Sequence, residues 1–376
     1  MPNQRLLVAT LPFLAASAAV LVVGDLNPPA GAVAATGKRL TEIEPRIPIS
    51  ATTTPGDLDS VFRIITPGSY YLTGNVAAAV GKHGIEIGTS DVTIDLCGFV
   101  VSGVGSSLGF DGIRSSAGSQ RNITIRNGSV SEWGGDGINL ATLSVSGGLI
   151  DGVTLHSNLE NGLLVGDTFS VRSCTSRGNG LAGIGTALGC TVSECAANFN
   201  GTVGFQLGGQ GLVNSSSATN NGTVGIALGF DCNAQNCTAI GNDSDGISGT
   251  YSVIIGCTAN INTANGIRVT AASRVIGNNC STNGFNGDGA GIRVVGADNH
   301  IESNDCTFND RGIDIDIAGN VILRNTCSGN TTNWDIVANN VFGPIIDRSA
   351  PASAAVLGNS APDASGSTHP NANFTY

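Results

Sequence analysis

A glycine followed by an apolar residue returns about every 21 residues along most of this chain. The pairs are Gly84-Ile85, Gly112-Ile113, Gly137-Ile138, Gly162-Leu163, Gly183-Ile184, Gly204-Phe205, Gly225-Ile226, Gly246-Ile247, Gly266-Ile267, Gly291-Ile292 and Gly312-Ile313. The four steps from Gly162 to Gly246 are 21 residues each. Self-similarity at a fixed period of this size means a solenoid, in which no repeat buries its apolar face alone. Function then has to be sought on the surface of a rod.

Inside each repeat the apolar residues alternate. Ile85/Ile87, Leu163/Val165, Phe205/Leu207 and Ile226/Leu228 each flank one residue of any character, the pattern of a short strand with one buried face. A second strand follows about ten residues later, as at Val92/Ile94/Leu96 and Ile123/Ile125. Pairs such as Asn179-Gly180, Asn200-Gly201 and Asn221-Gly222 are expected to supply the left-handed backbone of sharp corners. A leucine-rich repeat would show L-x-x-L-x-L and a helical return leg, whereas here Gly, Asn, Ser and Thr fill the return. The fold class read from this pattern is all-β, a single-stranded parallel β-helix of about 11–12 coils.

Composition sets limits. Only 12% of residues are charged, the net charge is −11, and the lysines are Lys38 and Lys82. The chain lacks the basic footprint of a nucleic-acid partner and the polybasic patches that hold anionic lipid. Arg5, the apolar run 6–23 and Ala32-Val33-Ala34 read as a signal peptide over 1–34; a retained anchor is the alternative. Residues 35–60 read as a leader or cap, 61–340 as the β-helix and 341–376 as a tail of loosely packed cover. No membrane span follows removal of the signal, and the expected location is secreted or cell surface.

Ten cysteines in an exported chain suggest disulfides, but their spacing argues otherwise. Val153, Cys174, Cys195, Ser216, Cys237 and Cys257 hold one place in successive repeats. Cys280, Cys306 and Cys327 are placed with them, as are Cys97 and Gly128 at the other end. A slot that accepts Cys, Ser, Val or Gly is a small buried one, so free thiols acting as apolar groups are expected.

The chain resembles the right-handed parallel β-helix repeat proteins of the pectate-lyase-like superfamily. The resemblance lies in Ile65-Thr66-Pro67-Gly68-Ser69-Tyr70-Tyr71-Leu72-Thr73-Gly74-Asn75, in Val92-Thr93-Ile94-Asp95-Leu96-Cys97-Gly98, and in the Asn-x-x-x-Gly-Ile coils. It covers roughly residues 61 to 340 and is specific for fold rather than reaction, since that superfamily holds lyases, hydrolases, tailspikes and adhesins.

The residue two after each repeat glycine forms one outward column: Glu86, Arg114, Asn139, Leu164, Gly185, Gln206, Ala227, Ser248, Arg268, Arg293, Asp314 and Val337. Its middle is bland and charge collects at its ends. By the resemblance, a lyase of this fold acts on uronic acids, with a cation or calcium on the carboxylate and an Arg or Lys as base. Arg268, Arg293 and Asp314 are the catalytic candidates on that reading, His300 and Asp316 the substrate-binding ones. No cofactor is required; calcium is the metal that Asp314 with Asp316 would take. The plainer reading is that unlike charges on adjacent rungs satisfy one another. Asp95, Arg126, Asp151 and Arg172 form a second such column.

Three functions follow. The preferred one is an exported rod that binds or displays itself to extracellular polysaccharide or cell-envelope glycan without catalysis. Against it, sugar recognition favours exposed aromatic platforms, and the chain offers only Trp133, Trp334 and four tyrosines. The alternative is a polysaccharide lyase, or less readily a glycoside hydrolase, acting on acidic polysaccharide at the C-terminal half of the exposed strand face. The third is a structural spacer or adhesin.

Overall fold

Residues one repeat apart are Cα partners in the folded chain: Ile184 with Phe205, Phe205 with Ile226 and Ile226 with Ile247. The computed structural model describes residues 44–376 apart from 106–108, 117, 142–144, 285–286 and 348–368. The segment read as a signal peptide, 1–34, lies outside the described residues. Arg46–Tyr376 forms a single unit. Among the described residues there is no helix, and every pairing between strands is parallel.

Each central coil contributes three short strands, as in Ile184–Thr186, Thr191–Ser193 and Ala196–Asn198. The first strands stack into a thirteen-stranded sheet, and the other two sets form a twenty-six-stranded sheet that supplies the remaining two faces. Thirteen rungs exceed the expected number because the first, Ser60–Ile64, and the last, Thr332–Ile336, lack the Gly-Ile signature. Rungs about 4.8 Å apart turn each inward position into a column. Ile113, Ile138, Leu163, Ile184, Phe205, Ile226 and Ile247 form one such column, each fully buried.

The repeat glycines owe their identity to a close approach, not to left-handed backbone. A Cβ on Gly204 would lie 2.6 Å from the Gly225 carbonyl oxygen and 2.7 Å from Asn221 Nδ2. Gly183 and Gly225 meet the same two groups of their next rungs at 2.6–2.7 Å. Those asparagines form a ladder: Asn158, Asn179, Asn200, Asn221, Asn242, Asn262, Asn283 and Asn309 each donate through Nδ2 to Oδ1 of the next, ending at Asn330, at 2.9–3.0 Å. Within it Asn200 also donates its second Nδ2 hydrogen to Ser176 O, and its Oδ1 accepts the Asn179 backbone N–H. Every donor and acceptor of a buried amide is thereby used.

This corrects the reading of Asn179, Asn200 and Asn221 as corner residues. The left-handed position is the one before each, held by Gly178, Phe199 and Asn220 at φ 61°, 55° and 53°. The cysteine column also needs correction. All ten cysteines are free and nine are buried, but Cys280 pairs with Ala259, and Cys306 and Cys327 continue that column. The Cys174–Cys257 slot is continued instead by Asn278, Asn304 and Asn325, since the Cys257 N–H donates to Asn278 Oδ1, which begins a second amide ladder. Cys97 is exposed at a corner with φ 52°, outside any buried slot.

Described parts of the segments read as leader and cover pair with the coils. Ile47–Pro48 pairs with Tyr70 and Tyr71. At the other end Asn373–Thr375 stacks on Thr326 and Cys327, and Asn373 Oδ1 accepts the Asn325 N–H.

Replacing Asn221 with alanine leaves one Asn200 Nδ2 hydrogen and the Asn200 backbone N–H without an acceptor. Each buried group left unpaired costs about 1–3 kcal/mol, so Asn221→Ala is expected to lose about 2–4 kcal/mol in denaturant unfolding. Asn220→Gly, at the exposed left-handed corner beside it, should change little.

Candidate functional site

The outward column of the thirteen-stranded sheet is as read, with one addition and one correction. Arg63 precedes Glu86 in register, and the last member is Asp335, the partner of Asp314, rather than Val337. At that rung Asn333-Trp334 stands where Gly-Ile stood, which removes the marker used for counting.

The structure brings Arg293, Asp314 and Asp316 together. Arg293 Nε lies 3.0 Å from Asp316 Oδ2 and 3.7 Å from Asp314 Oδ2. Arg311, absent from the sequence reading, completes the cluster: it reaches Asp288 at 2.7 Å, Asp314 at 3.2 Å and Asp335 at 3.3 Å. Asp314 is only 3% exposed. Burial, with the Asp316 charge, pushes its carboxyl up to about 6 despite the two guanidinium groups. Burial works against the Arg293 charge, but the Asp316 hydrogen bond and the Asp314 charge outweigh it and hold its pKa above the usual value. A guanidinium held this way is a poor base. It also stands between the two carboxylates that a calcium ion would need, and among the described residues no group of three His, Cys, Asp or Glu could hold a metal.

Arg268 sits one rung before Arg293 on the same face. It is half-buried and, among the described residues, its side chain makes no hydrogen bond or ion pair. His300 is not brought to this cluster. It lies in the other sheet, between Arg274 and Val321, with Nε2 3.0 Å from Glu302 Oε2. Burial, then the charges of Arg274 and Arg324, push its pKa down. The second charge column is a self-satisfying ladder: Arg126 meets Asp95 at 3.1 Å and Arg172 meets Asp151 at 2.9 Å.

One cluster escaped the sequence reading altogether. The residue directly before each repeat glycine forms its own column, and near the N-terminal end it holds His83, Asp111, Asp136 and Asn161. The Asp111 N–H lies 2.8 Å from His83 Nδ1 and Arg114 Nη1 lies 2.7 Å from Nε2. Two donors facing one ring disfavour a further proton, and burial with Arg114 pushes the His83 pKa down to about 4. Burial pushes Asp111 up to about 6 and raises Asp136. Each carboxylate also caps the next rung, Asp111 Oδ1 accepting the Asp136 N–H and Asp136 Oδ1 the Asn161 N–H, both at 2.9 Å. That gives them a structural task whether or not they meet a ligand.

No family model matches the chain, and no curated protein matches it. Solved structures do. The A-module of the Azotobacter vinelandii mannuronan C-5 epimerase AlgE6 is similar at a TM-score of 0.63 and 16% identity, over 73% of this chain and 89% of that one. The AlgE4 A-module gives 0.54 at 15% identity, over 68% and 91%, and the Agl-KA catalytic domain 0.51 at 14% identity, over 82% and 67%. At these identities the likeness shows the fold, the right-handed parallel β-helix.

The raised Asp314 carboxyl carries a pH signature. Its folded pKa near 6 lies above the ordinary value of about 3.9, so between those values the folded state holds the extra proton. Its contribution to stability therefore falls as pH rises from about 4 to about 6. The melting temperature of Asp314→Asn relative to wild type should rise across that window; a constant offset would contradict the assignment.

Proposed function

We propose that this chain is an exported, non-catalytic glycan-binding rod that lays its thirteen-stranded face along an acidic polysaccharide of the cell exterior or envelope, with Arg268 taking a carboxylate. The observation that carries this reading is the inequality among the arginines of that face. Arg63 is paired with Glu86 and Asp57, and Arg293 and Arg311 are shared among four aspartates. Arg268 alone on the C-terminal half of the column has no partner among the described residues. A planar fork without a protein carboxylate is suited to a ligand carboxylate. Two of the structures sharing this fold are, by their names, mannuronan epimerases, which supports an acidic glycan as the ligand class. Residues 1–34 support export. Among the described residues no helix is long and apolar enough to cross a membrane.

A lyase or hydrolase at Arg268, Arg293 and Asp314 is served less well. Arg293 is tied by two carboxylates, and Asp314 is buried behind Arg293 and Arg311.

Arg268→Ala is expected to weaken binding of polygalacturonate or alginate about five- to tenfold in low salt, while Arg293→Ala lowers stability with little loss of binding. Wild-type protein should release neither unsaturated uronate nor new reducing ends. Turnover that disappears in Asp314→Ala would replace this reading with the enzymatic one.

A further inference from the structure

The aromatic residues that the sequence offered as sugar platforms are not available. Trp133 is 1% exposed and donates Nε1–H to Val101 O at 3.0 Å, and Trp334 is partly buried against the core. Among the exposed rings of the described residues, Phe230 and Tyr251 lie against each other. Phe230 and Tyr251 are 64% and 50% exposed, lie on successive rungs, and have ring centroids 6.0 Å apart with planes tilted 42°. Both sit where the thirteen-stranded sheet turns its corner, Phe230 at the end of Ile226–Phe230 and Tyr251 just after Ile247–Thr250. The register between those strands slips between Ala227 and Phe230, a bulge of the kind that re-aims a side chain at a sheet edge. Two large apolar rings held in water lose their hydration cost only when something covers them.

What the face offers beside them decides the occupant. The outward column next to the rings is Gln206, Ala227 and Ser248, all uncharged. One rung further back lies a hollow of about 230 Å³ lined by Leu164, Gly185, Thr186, Gln206 and Gly208. Leu164 leans over Gly185, since a Cβ there would sit 2.5 Å from Leu164 Cδ2. One rung beyond Ser248 stands the unpartnered Arg268. The Tyr251 hydroxyl has no hydrogen-bond partner among the described residues. An apolar ring pair and a free phenol at the corner, a shallow trough of mixed lining and Arg268, whose side chain has no partner among the described residues, lie on nearby rungs and match a chain of pyranose rings. Such rings present C–H faces for stacking, hydroxyls for the trough and, at intervals, a carboxylate. A protein partner would need a larger apolar patch than two rings.

On the reading of this face as a glycan surface, we infer that Phe230 and Tyr251 are the stacking platform that seats one sugar ring of an acidic polysaccharide beside the Arg268 carboxylate site. The ring pair supplies affinity that is indifferent to charge, and Arg268 supplies preference for uronates.

Calorimetric titration with hexagalacturonate, hexamannuronate and neutral cellohexaose, with saturation-transfer NMR from the aromatic protons, tests this. Wild type should bind at least one acidic hexamer, and the saturation should appear on sugar ring protons. Phe230→Ala and Tyr251→Ala should each weaken binding about tenfold, the loss expected when an aromatic anchor is truncated, for neutral and acidic hexamers alike. Tyr251→Phe should retain most of it. Arg268→Ala should reduce binding only of the acidic hexamers. Full binding by the Phe230→Ala/Tyr251→Ala double variant, folded by circular dichroism, would overturn the platform while leaving the Arg268 reading intact. Ring-dependent binding that ignores Arg268→Ala would overturn the uronate preference alone, and no binding of any hexamer by wild type would overturn both.

Discussion

The contact between the repeat glycines from Gly137 to Gly312 and the asparagine ladder of the next rung is the constraint on which the rest of the structure depends. A buried amide that donates to its neighbour one coil away can do so only if the coils lie in register. Glycine is what lets the amide and the next carbonyl approach within 2.6–2.7 Å of where a Cβ would stand. The two requirements are mutual: a side chain at Gly204 would displace Asn221, and loss of Asn221 would leave the Asn200 backbone N–H and one of its Nδ2 hydrogens without an acceptor. Polar groups inside a core are costly when partly satisfied and specifying when fully satisfied, and here satisfaction runs from Asn158 to Asn330 without a break.

Register in the core dictates what the surface can be. Outward residues become columns, so charges one period apart become neighbours whether or not a ligand uses them. At Asp95–Arg126 and Asp151–Arg172 the column closes on itself as unlike pairs, worth little each at the exposed surface. The C-terminal cluster does the same with two arginines and four aspartates, which turns the most conspicuous charges of the chain into internal bookkeeping. On the proposed reading, the functional weight falls instead on the uncharged middle of the face, its edge rings and Arg268, whose side chain has no partner among the described residues. In a rod of this kind, the informative residue is the one that its own column fails to neutralise.

Much of this was legible beforehand, and the failures have physical causes. The period fixed which residues face inward because every coil repeats the same geometry, so Ile184, Phe205 and Ile226 declared themselves. Asn200 and Asn221 were misread because an Asn-Gly pair is also the signature of a tight corner, and composition alone does not separate a buried amide from a left-handed one. Cys280 and its successors were misplaced because coils differ in length between the last strand and the next glycine, so a fixed count from the glycine no longer finds the slot; strand pairing sets Cys280 beside Ala259, two positions past Asn278. Val337 took the place of Asp335 for the related reason that the final rung has no glycine to count from. His83, Asp111 and Asp136 stood one position before the marker and were passed over, although the same alignment of repeats displays them. Phe230 and Tyr251 had no sequence signal as a pair, since a bulge brings their rungs together at the corner.

Excision of one whole coil tests the register most directly. Removing residues 202–222 joins Gly201 to Thr223, restores the Gly-Thr-Val-Gly sequence across the junction and takes out one step of 21 residues. Since each rung contacts only its neighbours, the shortened chain should fold, keep its β-sheet circular dichroism and melt cooperatively close to the parent. Removing half as many residues from the same point should abolish that transition. Equal tolerance of both deletions, or collapse of the full-coil variant, would contradict a chain stacked in register along an axis.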